Sequence, residues 1–163
     1  MKKLINKTII LSLFVALTGC NDWLDVSPKA DMKAEDLFGT EAGFRDALVG
    51  VYALMCGTNS YGRDLTYGYL DVLAQYYNSP LKTTSSGYEH NFKNAAEYKY
   101  TEKTEESRIS SIWSNHFSAV ANINQAMLFI DENKGVFTSP EVHDVYKGEF
   151  LALRAFLHFD ILR

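Results

Sequence analysis

The sequence predicts an all-α fold built from two successive helical hairpins. Three observations carry that expectation. Apolar residues recur at three- and four-residue spacing, helix-start and helix-stop residues bracket those stretches, and no segment alternates in the strand manner. Thr40 is placed to cap a first helix, with Glu41 favouring its positive end and Phe44, Leu48, Val51 and Met55 on one face. Gly57 supplies its stop. Ser60 is expected to cap a second helix with Leu65, Tyr69, Val72, Leu73 and Tyr76 as its buried stripe, ended by Asn78-Ser79-Pro80. Residues 79–103 keep no period and read as a long loop with a short helical turn.

The third helix has the clearest pattern. Ile109, Ile112, Trp113, His116, Phe117, Val120, Ile123, Met127 and Ile130 keep one face apolar for about six turns. Glu105 and Glu106 favour its start, and Asn133-Lys134-Gly135 ends it. Ser139-Pro140-Glu141 opens a fourth helix, with serine as cap and proline at the first helical position. Its stripe runs Val142, Val145, Tyr146, Glu149, Leu153, Phe156, Leu157 and Asp160. Leu157, Ile161 and Leu162 are expected to need a partner surface beyond Arg163, so the chain reads as the front portion of a longer protein.

Composition narrows the function. At 47% hydrophobic and 22% charged the 163 residues suit one folded domain. The segment before residue 20 is positive (Lys2, Lys3, Lys7), then apolar from Ile9 to Leu17, then small, ending in Leu17-Thr18-Gly19-Cys20. That order is a secretory signal peptide, and its apolar run is too short to span a bilayer. The last four residues have the form of a lipobox, which makes Cys20 the first mature residue and the site of lipid attachment. Two or three acyl chains on one cysteine make a durable anchor. Residues 1–19 are therefore read as the signal peptide, 20–40 as a lipid-attached tether in which Trp23 and Leu24 dock, and 41–163 as the helical body. Removing Lys2, Lys3 and Lys7 from 16 basic side chains leaves 13 against 20 acidic ones, a net charge of −7. Such a surface repels phosphate backbones, so nucleic acid is not an expected partner. Cys56, left without a partner, is expected to pack as a small hydrophobe among Val51, Tyr52 and Met55.

No metal, phosphate-loop or nucleophile motif occurs, and no enzyme activity or cofactor is expected. The acid pairs Glu105-Glu106 and Asp131-Glu132 lie at helix ends and read as solvated; Trp113 could serve as a sugar platform, but its helical spacing with Phe117 and Val120 reads as core. Tyrosine is concentrated instead: eight of the ten lie between Tyr61 and Tyr100. Sugar rings present C–H faces that stack on such planes, while Asn78, Asn91 and Asn94 suit hydroxyl contacts. Tyr88, Tyr98 and Tyr100 are the candidate ligand-binding residues, and the competing reading is that these tyrosines pin a loop to the helices. A helical interaction protein without glycan binding, or a lipid-anchored hydrolase whose active site lies in sequence beyond Arg163, stays open as an alternative.

Three pieces of the chain together resemble the SusD/RagB family of outer-membrane nutrient-binding lipoproteins. They are the lipobox followed by Asp22-Trp23-Leu24-Asp25, the stretch Ala47-Leu48-Val49-Gly50-Val51-Tyr52, and Trp113-x-x-x-Phe117-x-x-Val120-x-x-x-Asn124 with Gly148-Glu149-Phe150-Leu151-Ala152-Leu153-Arg154-Ala155-Phe156. The chain departs from the family pattern at Phe117, Val120 and Phe150, all apolar exchanges. The resemblance implies the N-terminal part of a larger SusD-like fold with tetratricopeptide-like units. It further implies a lipid-anchored place on the cell outer membrane, an oligosaccharide or other nutrient as ligand, and a SusC-like TonB-dependent transporter as partner.

Lipid attachment at Cys20 gives the first prediction. Metabolic labelling with a fatty acid should mark the parent protein, and Cys20→Ser should abolish the label; unchanged incorporation would overturn the assignment.

Overall fold

The computed structural model describes residues 33–77 and 92–162. Cys20, Tyr88 and the docking residues Trp23 and Leu24 lie outside them. Every regular element among the described residues is helical: α1 Ala34–Leu37, α2 Glu41–Met55, α3 Tyr69–Leu73, α4 Lys93–Ala96, α5 Lys103–Ile130, a 3-10 turn Lys134–Val136 and α6 Pro140–Ile161. None of these helices is long and apolar enough to cross a membrane.

Local chemistry sets the helix ends as expected. The Thr40 hydroxyl accepts from the Gly43 amide at 3.1 Å, and Ser139 caps α6 with Pro140 behind it. Helix α2 stops at Met55 with Cys56 as its C-cap. Gly43 is required by packing: a Cβ there would stand 1.6 Å from the Leu37 carbonyl oxygen, so α1 can end against the first turn of α2.

Three long helices carry the core. Asn124 with Arg154 and Asp131 with Lys147 pair across α5 and α6 in opposite chain directions, so those helices are antiparallel. Leu54 with Asn115 and Phe38 with Asn133 give the same relation between the α2 region and α5. Tyr52 donates to Glu149 at 2.6 Å and Thr138 donates to Glu41 at 2.7 Å, which sets α2 parallel to α6. Phe44, Val51, Ile123, Ile130, Phe150 and Leu157 are fully buried between them. Phe38, Phe44 and Phe137 close one end, with ring centroids about 5 Å apart.

Four expectations are corrected. The second helix is only the five residues of α3. Residues 57–68 form nested turns instead, such as Leu65 to Ser60 and Gly68 to Arg63. Gly62 permits this, because a Cβ there would meet the Cys56 carbonyl oxygen at 2.2 Å. On α5 the buried residues are Glu105, His116, Ala119, Val120, Ile123, Ala126 and Ile130, so His116, Val120, Ile123 and Ile130 of the expected stripe are buried and two alanines join them. Trp113 and Phe117 of that stripe are exposed. The alanines let α2 and α6 approach closely, which a reading by large apolar side chains misses. Cys56 is exposed, since the C-cap position turns it away from the Phe44–Val51 face. Leu157 is buried within the three-helix core, whereas Leu162 is 84% exposed.

The core makes a direct prediction. Phe150→Ala should cost about 3–5 kcal/mol of stability in urea unfolding, whereas Val145→Ala, at an exposed position of the same helix, should stay within about 0.5 kcal/mol.

Candidate functional site

The N-terminal half of α5 is covered differently from its C-terminal half. Beside it a cleft of about 590 Å³ opens, lined by Leu65, Tyr69, Leu70 and Leu73 from the turn and α3, Tyr100, Ile109, Ile112, Trp113 and His116 of α5, and Asp160 and Ile161 of α6. Its volume lies in the range of small-ligand sites. Trp113 is 55% exposed there, with the Phe117 ring 4.8 Å from it. The expectation that Trp113 is core is thus corrected: its ring lies on the open cleft instead of between packed helices.

The polar end of the cleft is a hydrogen-bonded set. The Tyr61 hydroxyl donates to Asp160 Oδ2 at 2.7 Å and lies 3.3 Å from His116 Nε2. Nδ1 of His116 faces the Ile112 carbonyl at 3.1 Å, and Nε2 stands 3.8 Å from Asp160 Oδ2. The imidazole is buried, and the Tyr61 hydroxyl links it to the Asp160 carboxylate.

Tyr69 separates this cleft from a buried charged cluster. Asp64 and Glu105 are both fully buried. Arg63 Nε donates to Asp64 Oδ1 at 2.7 Å, and Arg108 stands 3.7 Å from Asp64 and 3.6 Å from Glu105, ion-pair rather than hydrogen-bond distances. The Arg108 guanidinium also lies 4.5 Å from the Phe92 ring centroid and 5.6 Å from that of Tyr69. Among the described residues neither Glu105 oxygen has a hydrogen-bond partner, and desolvation pushes the Glu105 carboxyl above its ordinary range despite Arg108. Burial, with the Glu105 charge beside it, pushes the Tyr69 phenol up to about 12. The reading of Glu105 as solvated is corrected here: the turn at Asp64 folds over the first turn of α5.

Tyr98 and Tyr100 are brought together, with ring centroids 6.1 Å apart, but only Tyr100 lines the cleft. Tyr98 belongs to a clasp. Gln75 and Tyr98 each follow a short helix in the left-handed region, at φ 58° and 55°. The Gln75 amide donates to the Ala96 carbonyl at 3.1 Å, and the Tyr98 hydroxyl donates to the Leu73 carbonyl at 2.8 Å. Each strained residue thereby satisfies a carbonyl at the end of the other's helix. Tyr77 likewise donates to the Tyr67 carbonyl, and Asn94 to Thr104, so both spend their polar atoms on the fold.

Sequence reasoning weighed Trp113 as a sugar platform but preferred core, and it passed over Glu105 and Asp64 as buried polar groups. One available signal was Asp160, a carboxylate set in an otherwise apolar helix face. Among the described residues no group of three or more His, Cys, Asp and Glu side chains is arranged to hold a metal ion.

The Glu105 carboxyl predicts a pH effect. Its folded-state pKa is raised, so the native state holds its proton more tightly than the unfolded chain does. Stability from this group is therefore greatest below the ordinary glutamate range and falls as pH rises through the folded-state value. Urea midpoints of Glu105→Gln and the parent should diverge with rising pH, the variant gaining relative stability toward neutral; parallel curves would refute the assignment.

No family model, no curated protein and no solved structure matches this chain.

Proposed function

We propose that the chain is a non-catalytic, lipid-anchored binding protein of the outer membrane, which takes up an oligosaccharide or other nutrient and delivers it to a SusC-like TonB-dependent transporter. On this reading Cys20 carries the anchor, and residues 41–163 are the helical N-terminal region of a SusD-like fold. The α5–α6 hairpin would then be a tetratricopeptide-like unit. The lipobox and the Trp113–Asn124 and Gly148–Phe156 motifs support this reading from the sequence side.

The observation that carries it is a half-exposed tryptophan, Trp113, on the same cleft as Tyr100, with a fixed carboxylate at Asp160. Burying large apolar rings is the ordinary outcome of folding, and an open apolar cleft rimmed by aromatics suits a ligand. Sugar rings would lie on the Trp113 and Tyr100 faces, and their hydroxyls would meet Asp160. Tyr98 keeps a supporting role through the clasp, and Tyr88 remains a proposed contact by sequence alone.

The test is calorimetry of the full chain against a panel of oligosaccharides. Trp113→Ala and Tyr100→Ala should each weaken binding about tenfold, as expected for loss of about 1–1.5 kcal/mol of stacking, and leave the helical dichroism unchanged. Tyr98→Ala should lower the melting temperature instead. A parent that binds no glycan in the panel would favour the helical interaction reading.

A further inference from the structure

The cleft's lining narrows the class of sugar, given the glycan-binding reading above, on which this step rests. Among the described residues the lining holds no lysine or arginine; its charged or titratable groups are Asp160, His116 and the two tyrosines. The Arg108 guanidinium, which packs on the Tyr69 ring, is directed to Asp64 and Glu105. A uronate or sulfated sugar needs a basic partner once it leaves water, and here it would face a carboxylate instead. Charge complementarity with the described lining therefore disfavours acidic sugars in the cleft.

The apolar side of the lining says more. Leu65, Leu70, Leu73, Ile109 and Ile112 supply aliphatic surface that a fully hydroxylated ring would meet with unpaired hydroxyls. An acetamido substituent suits both parts of the site. Its methyl group removes apolar surface from water against the aliphatic wall, and its N–H donates to a carboxylate. Asp160 is held for that purpose by Tyr61 at 2.7 Å, and a carboxylate accepts several hydrogen bonds at once. We infer that the cleft beside Trp113 selects an uncharged sugar bearing an acetamido group, with the ring on the aromatic rim and the amide N–H on Asp160.

Three tetrasaccharides test this on the full chain by calorimetry: β-1,4-linked N-acetylglucosamine, β-1,4-linked glucose, and galacturonate. The first should bind at least tenfold more tightly than the second, and the third more weakly than either. Asp160→Asn should narrow the gap between the first two, and Trp113→Ala should weaken both together. Circular dichroism melts report whether either variant is unfolded, and the comparison of sugars on the parent stands without them. Equal affinity for the glucose and acetamido tetramers, or tight binding of the galacturonate, would overturn the acetamido assignment and leave glycan binding standing. Silence from all three would overturn both.

Discussion

Helix α5 is longer than anything that covers it, and most of the structure follows from that mismatch. Its 28 residues span about 42 Å, against about 22 Å for the 15 residues of α2. From Ala119 onward, α2 and α6 pack on it through Ala119, Ala126 and the branched side chains between them. Before that point the ends of α2 and α6 reach Asn115 and His116, and nearer its N-terminus lie two helices of four or five residues and a run of turns. Short elements cannot bury a whole helix face, and the apolar cleft lies where they fall short.

Polar groups stabilise the short elements where apolar area is scarce. The second apolar cluster buries only Tyr69, Val72 and Ala95, so other interactions must position it. The Gln75–Tyr98 clasp joins the ends of α3 and α4 at the cost of two left-handed residues. The Asp64–Arg108–Glu105 cluster fixes the turn against α5. Ion pairs of this kind contribute little net stability after desolvation, but breaking one by removing a partner is costly. They specify one arrangement of the turn, and with it the position of the Tyr69 wall.

The site inherits this division. Its rigid side is α5 and α6, where Trp113, His116 and Asp160 stand on long helices tied by antiparallel packing. Its other side is Tyr100 and the leucines, held by the clasp and the buried charges. A site built this way keeps Trp113 and its polar anchor fixed, while Tyr100 and the aliphatic wall depend on a small, strained region.

The sequence by itself determined the helical class, the starts at Thr40 and Ser139-Pro140, the stop of α2 and the extent of the long third helix. Those features depend on caps, breakers and a 3.6-residue period, all of which act within a few residues of chain. It also singled out Tyr98 and Tyr100, which the fold brings together, though not that only Tyr100 would line the cleft. Tertiary structure alone decided that Ala126 faces the core and Trp113 does not, that Glu105 is buried, that Cys56 is exposed, and that residues 57–68 turn instead of forming a helix. Each of these depends on how far a neighbouring element reaches. Burial is set by what lies opposite a side chain in space, and local periodicity carries no record of where that cover ends.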